Sequence, residues 1–219
     1  MAQYVIFGDS TFAERIHKYI SIEKVDEVLC FTNEERFITR HEINGLPVVS
    51  FECLSELYDI RSFELLICIG YAQMNQLREK IYHMCKNKGY KIGTWVSSSA
   101  LIYGWGIEEG NIIMPGVLIG PSCSIGKCNI FASRVCISHD SVIGNFNFIS
   151  SAVTTGGFAS IGNNTFIGLN ATIRDGIKIE DYTLVGASAN IIMPTICKGV
   201  YVGNPAKQLE NKSSLLTKI

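Results

Sequence analysis

The stretch Ile161-Gly162-Asn163-Asn164-Thr165-Phe166-Ile167-Gly168-Leu169-Asn170-Ala171-Thr172-Ile173 places an aliphatic residue at every sixth position, with Gly behind the first two. The phase holds far beyond it. Reading every sixth residue from Leu101 to Ile191 gives sixteen positions, of which fourteen are Leu, Ile or Val; Phe131 and Thr155 are the exceptions. Gly follows at 120, 126, 144, 156, 162, 168 and 186, and a small or β-branched residue stands four places on, as at Val117, Cys123, Val153, Thr165, Ala171 and Ala189. Neither a helical period of 3.6 nor the two-residue alternation of a strand stays in one phase over such a length. The pattern predicts a solenoid. One inward aliphatic per short strand fills a narrow interior, and Gly lets the chain turn after it. Each coil buries its inner face only when another is stacked on it. The region 101–219 is therefore read as one repeat domain.

Residues 1–90 follow a different pattern. Tyr4-Val5-Ile6-Phe7 is a short apolar run ending in Gly8, and Ser10 is placed to cap a helix from about Thr11 to Ile20. A second strand is expected near Glu27 to Phe31 and a third at Leu65-Leu66-Ile67-Cys68-Ile69, followed by a helix from about Ala72 to Lys88. Strands alternating with helices predict an α/β domain with a small parallel sheet. Residues 91–100 read as a linker, with Trp95 packing at the junction.

Composition excludes several classes. The chain has 219 residues, 47% apolar and 18% charged, with a formal net charge of −1. No basic stripe marks a nucleic-acid partner, and no apolar run is long enough to span a membrane. The first residues show no basic segment with a cleavage site, so the expected location is the cytoplasm. None of the eight cysteines forms a C-x-x-C pair or a zinc-spaced cluster with histidine. They are read as small buried hydrophobes in a reducing compartment, Cys136 included, and no metal is expected.

Of four histidines only His139 lies in the repeat domain, in Ile137-Ser138-His139-Asp140-Ser141. His17 and His83 are read as solvated helix-surface side chains. The repeat domain offers no other base of suitable pKa, and Asp140 is placed to orient the imidazole. Eighteen residues on, one full coil, stands Gly157, and eighteen further Asp175. Gly156-Gly157 is expected to expose bare N–H groups for a thioester carbonyl or its oxyanion. On the neighbouring stack, Leu169 and Ala187 lie one coil apart, and small residues there predict a groove for a narrow chain. Lys207 follows Pro205 in the tail, a candidate point charge for a phosphate.

The run Ser138-His139-Asp140-Ser141-Val142-Ile143-Gly144, then Gly156-Gly157, Ile161 to Ile173 and the closing Val202-Gly203-Asn204-Pro205-Ala206-Lys207, resembles the NeuD/PglD-type sugar acyltransferases. The resemblance covers nearly the whole chain. It implies a left-handed parallel β-helix with three hexads per coil, behind a Rossmann-like βαβαβ domain that binds a nucleotide sugar. It also implies a homotrimer with acetyl-CoA between subunits. His139 is then the general base and Asp140 its modulator, with the cofactor near Gly157, Leu169, Ala187 and Lys207. The nucleotide falls at Gly8-Asp9-Ser10-Thr11, near Thr32-Asn33 and after Gly70, where a helix N-terminus suits a diphosphate. Three residues depart from the family pattern. The first turn is poor in Gly and carries Asp9, Asn33 replaces an acid, and Phe148 stands where relatives often have a second His. The expected reaction is N-acetylation of a nucleotide-linked 4-amino-4,6-dideoxyhexose. The alternatives are sugar O-acetylation of the sialic-acid type and a non-catalytic β-helix scaffold. A carbonic anhydrase on the same fold needs several His ligands, and this repeat has one.

Overall fold

The structure, a computed structural model, describes residues 2–217. The N-terminal part runs β1 (Gln3–Phe7), α1 (Thr11–Glu23), β2 (Glu27–Asn33), β3 (Glu42–Ile43), β4 (Leu46–Ser50), α2 (Leu54–Leu57), β5 (Glu64–Ile67) and α3 (Gln76–Asn87). Its sheet has the order β3-β4-β2-β1-β5, with β4, β2, β1 and β5 parallel and β3 an antiparallel edge. The interior strand β1 is buried from Tyr4 to Phe7, as its uninterrupted apolar run requires of a strand covered on both faces. Helix α1 buries Ala13, Ile16, His17 and Ile20, one stripe at helical spacing. Helix α3 begins later than the sequence suggests. Gln73, Met74 and Asn75 all have positive φ, so the chain turns there before the helix starts.

His17 is not solvated. It is 9% exposed, with Asn44 Nδ2 donating to Nδ1 at 3.1 Å and Nε2 3.1 Å from Ser21 Oγ. Asn44 has only donors on that nitrogen, so the ring is neutral with its proton on Nε2. Burial lowers its pKa below the usual 6.5. A depressed folded-state value means that the unfolded chain takes up the proton first. This contribution to stability is complete above about pH 6.5 and is lost as pH falls through the folded-state value. Melting temperature is expected to fall between about pH 7 and pH 5, and His17→Gln to flatten that slope in a calorimetric pH series.

From Trp95 onward the chain is a parallel β-helix. Two-residue strands pair in parallel with strands eighteen residues later, as in Leu118↔Cys136, Ser124↔Val142 and Ile130↔Phe148. Three sheets of eight, six and five strands form the three faces. The first face contains Ile112–Ile113, Ile130–Phe131, Phe148–Ile149, Phe166–Ile167 and Leu184–Val185. The second contains Cys136–Ile137 and the third Val142–Ile143. The inward residues of the sixfold pattern form one core in which Ile119, Ile137, Ile149, Ile167 and Ile179 are fully buried. Each such side chain contributes about 1.5–3 kcal/mol. The phase slips once. In the first coil Ile102, not Leu101, pairs with the inward Ile119, and Leu101 is 53% exposed. Cys136 likewise is the outward residue of its strand and only half-buried.

Buried asparagines close one corner. Asn111 Oδ1 accepts from Asn129 N, Asn129 Oδ1 from Asn147 N, and Asn147 Oδ1 from Thr165 N, each at 2.8–2.9 Å and eighteen residues apart. The ladder satisfies amides that the turn leaves without backbone partners.

The stretch expected as a linker is bound at both ends. Ile92 bridges Leu65 beside β5, and Trp95–Val96 pairs with Ile112–Ile113 in the first face. Trp95 is buried at the junction, stacked on Tyr19 with ring centroids 6.4 Å apart. The outward side chains Ile112 and Ile130 bury against Tyr4, Ile6 and Ile16. The α/β part thus sits on an apolar face of the β-helix.

Candidate active site

His139 follows the second-face strand Cys136–Ile137, at the edge where the chain turns to the third face. Its Nδ1 lies 2.8 Å from Asp140 Oδ2, and the two side chains are 53% and 42% exposed. A carboxylate only accepts, so Nδ1–H donates to Asp140. Phe158 stands edge-on to the ring, centroids 5.3 Å apart, and is itself exposed.

Gly157 lies directly beneath the imidazole. A Cβ added there would meet His139 Cε1 at 2.5 Å and Nε2 at 2.7 Å, so only Gly leaves room for the ring. The expected oxyanion donors are not available, however. Gly156 N–H donates to Ile173 O at 2.7 Å and Gly157 N–H to Asp175 Oδ1 at 2.8 Å. The third member of the same stack takes the hydrogen bond that the bare backbone seemed to offer a ligand.

A second feature lies along the other edge of the second face. A cleft of about 590 Å³ opens between α1, the end of β5 and the corners that follow the first-face strands. Its lining unites Thr11 and Gly70 with Leu169 and Ala187. Phe12, Arg15, Tyr71, Phe148, Ser150, Ser151 and Phe166 complete much of the wall. Phe148 and Phe166 stack at 5.7 Å, and Tyr71 meets both edge-on at 5.0 and 4.9 Å. Among the described residues the amides of Leu169 and Ala187 donate to no backbone carbonyl. At the head of α1, Ser10 accepts from Ala13 N and its carbonyl from Glu14 N, while the amides of Thr11 and Phe12 likewise find no backbone acceptor.

The remaining sequence candidates lie elsewhere. Gly8, at φ +119°, packs so close that a Cβ would meet Cys68 O at 3.0 Å. Asn33 Nδ2 donates to Asp9 Oδ1 at 2.9 Å, and Arg40 donates to the Asp9 carbonyl. Asp9 Oδ2 and Thr32 Oγ1 are buried without a partner among the described residues. Lys207 is exposed on a strand antiparallel to Val200–Val202 and does not line the cleft. His139, Asp140 and Gly157 do not line it either. In one chain the second face separates them from it.

Arg15, Tyr71 and the aromatic wall escape a reading by sixes. The signal is the eighteen-residue series Ile112, Ile130, Phe148, Phe166, Leu184, since the first face is the one on which every outward position of these coils is large and apolar.

No protein-family model matches the chain, and no curated protein matches it in sequence. Solved structures do. The acetyltransferase domain of PglB from Neisseria gonorrhoeae FA1090 superposes with a TM-score of 0.84 at 20% identity, covering 95% of this chain and 100% of that one. A variant of perosamine N-acetyltransferase from Caulobacter crescentus, solved with CoA and GDP-perosamine, gives 0.86 at 22%, covering 96% and 98%. The fold is that of the NeuD/PglD-type sugar acetyltransferases. WeeI from Acinetobacter baumannii AYE gives 0.82 at 21%, covering 95% and 100%. Coverage near completeness on both sides means that the α/β part and the β-helix are matched together. Among the described residues no cluster of His, Cys, Asp or Glu has the makings of a metal site, and no helix is long and apolar enough to cross a membrane.

Proposed function

We propose that this chain transfers an acetyl group from acetyl-CoA to the amine of a nucleotide-linked 4-amino-4,6-dideoxyhexose, in the cytoplasm, toward a surface polysaccharide or glycan. The observation that carries the reading is the His139–Asp140 pair. It is an exposed imidazole that donates from Nδ1 to a carboxylate and lies over a bare glycine, which leaves Nε2 as the nitrogen to take a proton. Acetyl-CoA, when bound, supplies a thioester carbonyl whose C–S bond breaks as the amine's N–C bond forms. His139 Nε2 takes the proton the amine gives up, and Asp140 steadies the imidazolium. No side chain need be acylated.

The cleft fits both substrates in kind. Its volume is that of a small-molecule site. Ala187 and the flanking glycines leave space for a pantetheine chain, and the amides of Leu169 and Ala187 suit its carbonyls. Thr11 and Phe12 at the head of α1, beside Arg15, suit a diphosphate. The same reading takes the coils as left-handed, residues 1–90 as a Rossmann-like nucleotide-sugar unit and the region from 101 as the acyltransferase unit.

Because His139 and the cleft occupy different edges, the reading requires a homotrimer in which one protomer's His139 reaches a neighbour's cleft. A subunit-mixing experiment tests it. Ala187→Trp fills the cleft and raises the KM for acetyl-CoA, while His139→Ala removes the base. Each homotrimer is expected to be nearly inactive, and trimers reassembled from both to recover activity through sites that combine one good edge from each. Two inactive variants that stay inactive after mixing would place both halves of the site in a single chain.

A further inference from the structure

Arg78 is 1% exposed on α3 and has no carboxylate partner among the described residues. Burial lowers its pKa to about 10, so it still carries its charge at neutral pH. A buried, uncompensated guanidinium is costly to keep. Its hydrogen bonds show what it holds. Nε donates to Cys128 O at 2.9 Å. Nη2 donates to Phe146 O and Asn147 O at 2.8 and 3.0 Å, and Nη1 to Ile69 O and Gly70 O at 3.2 and 2.8 Å.

These carbonyls belong to two separate bodies. Cys128 and Phe146 lie eighteen residues apart, at one corner of two successive coils. Ile69 and Gly70 end the strand region of β5 and lead into Tyr71, which forms the cleft wall against Phe148 and Phe166. Asn75 reinforces the tie by donating from Nδ2 to Thr165 O at 2.8 Å. Only a planar fork with five donors spans both sets of carbonyls; an ammonium gathers its donors at one atom.

We infer that Arg78 is a positioning residue, which fixes the Gly70–Tyr71 wall of the cleft against the β-helix and thereby sets the fit of the nucleotide-sugar acceptor. The inference rests on the cleft being the acceptor site proposed above. Arg78 touches no substrate; it acts through Tyr71.

Arg78→Lys in the full chain tests it by two readouts. Amides from Cys68 to Gln73 are expected to exchange hydrogen about tenfold faster while those of the inward β-helix strands stay protected. The acceptor KM is expected to rise about tenfold, with kcat and the acetyl-CoA KM within about twofold. A purely structural arginine would instead lower the melting temperature with an unchanged acceptor KM, or lose protection evenly over the whole fold, and either result overturns the inference. If Arg78→Lys does not fold, Tyr71→Ala alters only the half-exposed wall residue, and it must show the same rise in acceptor KM; a normal value there is equally fatal. Failure of the functional reading looks different: the wild-type protein transfers no acetyl group, while hydrogen exchange still reports whether Arg78 holds the loop.

Discussion

His139→Ala is expected to lower the rate of acetyl transfer by about 100- to 10,000-fold, the usual cost of removing a general base. The fold should survive, because the side chain is more than half exposed and packs only over Gly157 and edge-on to Phe158. Circular-dichroism melting should therefore match the wild type while steady-state kinetics collapse in kcat rather than KM. Asp140→Asn should cost less. It keeps an acceptor near Nδ1, and asparagine tolerates the φ of 57° found at this position. The order of the two losses matters: an asparagine variant as damaged as the alanine variant would make the carboxylate as essential as the imidazole. Near-normal turnover in His139→Ala would remove His139 from the chemistry.

Gly157→Ala is expected to displace the His139 imidazole and to lower activity strongly while leaving the fold intact. The added Cβ would lie 2.5 Å from His139 Cε1 and 2.7 Å from Nε2, closer than any real contact of this kind. The imidazole must swing away, and its 2.8 Å hydrogen bond to Asp140 goes with it. A displacement of about 1 Å in a positioned catalytic group costs on the order of 100-fold. The loss should appear in kcat, with acetyl-CoA KM unchanged, since Gly157 lies off the cleft. Equal loss in the His139→Ala, Gly157→Ala double variant and in His139→Ala alone is the expected signature of one pathway. A fully active Gly157→Ala enzyme would show that the ring position matters little.

The β-helix was open to reading because its interior is too narrow to vary. One aliphatic per strand must point in, and a period of six survives from Ile107 to Ile191. The slip at Leu101 was hidden because its neighbour Ile102 is equally aliphatic, so residue type alone does not say which one pairs with Ile119. His139 and Asp140 could be picked out because an acid beside the domain's single histidine is a chemical signal as well as a positional one. The fate of the Gly156–Gly157 amides could not, since glycine reveals open backbone but not which acceptor fills it. The same eighteen-residue count that led from His139 to Gly157 ends at Asp175, the acceptor itself. His17 misleads for a related reason: its helical stripe with Ala13, Ile16 and Ile20 faces inward, and periodicity outweighs polarity there. Arg78 sits on an equally ordinary stripe with Ile81, Tyr82 and Cys85, and only the packing of α3 on two coils gives its five donors their partners.

The proposed reaction joins an acetyl thioester to the amine of a nucleotide-linked sugar. The most direct measurement incubates the wild-type protein with acetyl-CoA and a panel of nucleotide-linked 4-amino-4,6-dideoxyhexoses differing in nucleotide, following thiol release and product mass together. At least one of them is expected to gain a single acetyl group on its amine, with one equivalent of thiol released, and His139→Ala to show neither. Thiol release with no acetylated amine in any of them, or acetyl transfer only to a sugar hydroxyl, would contradict it.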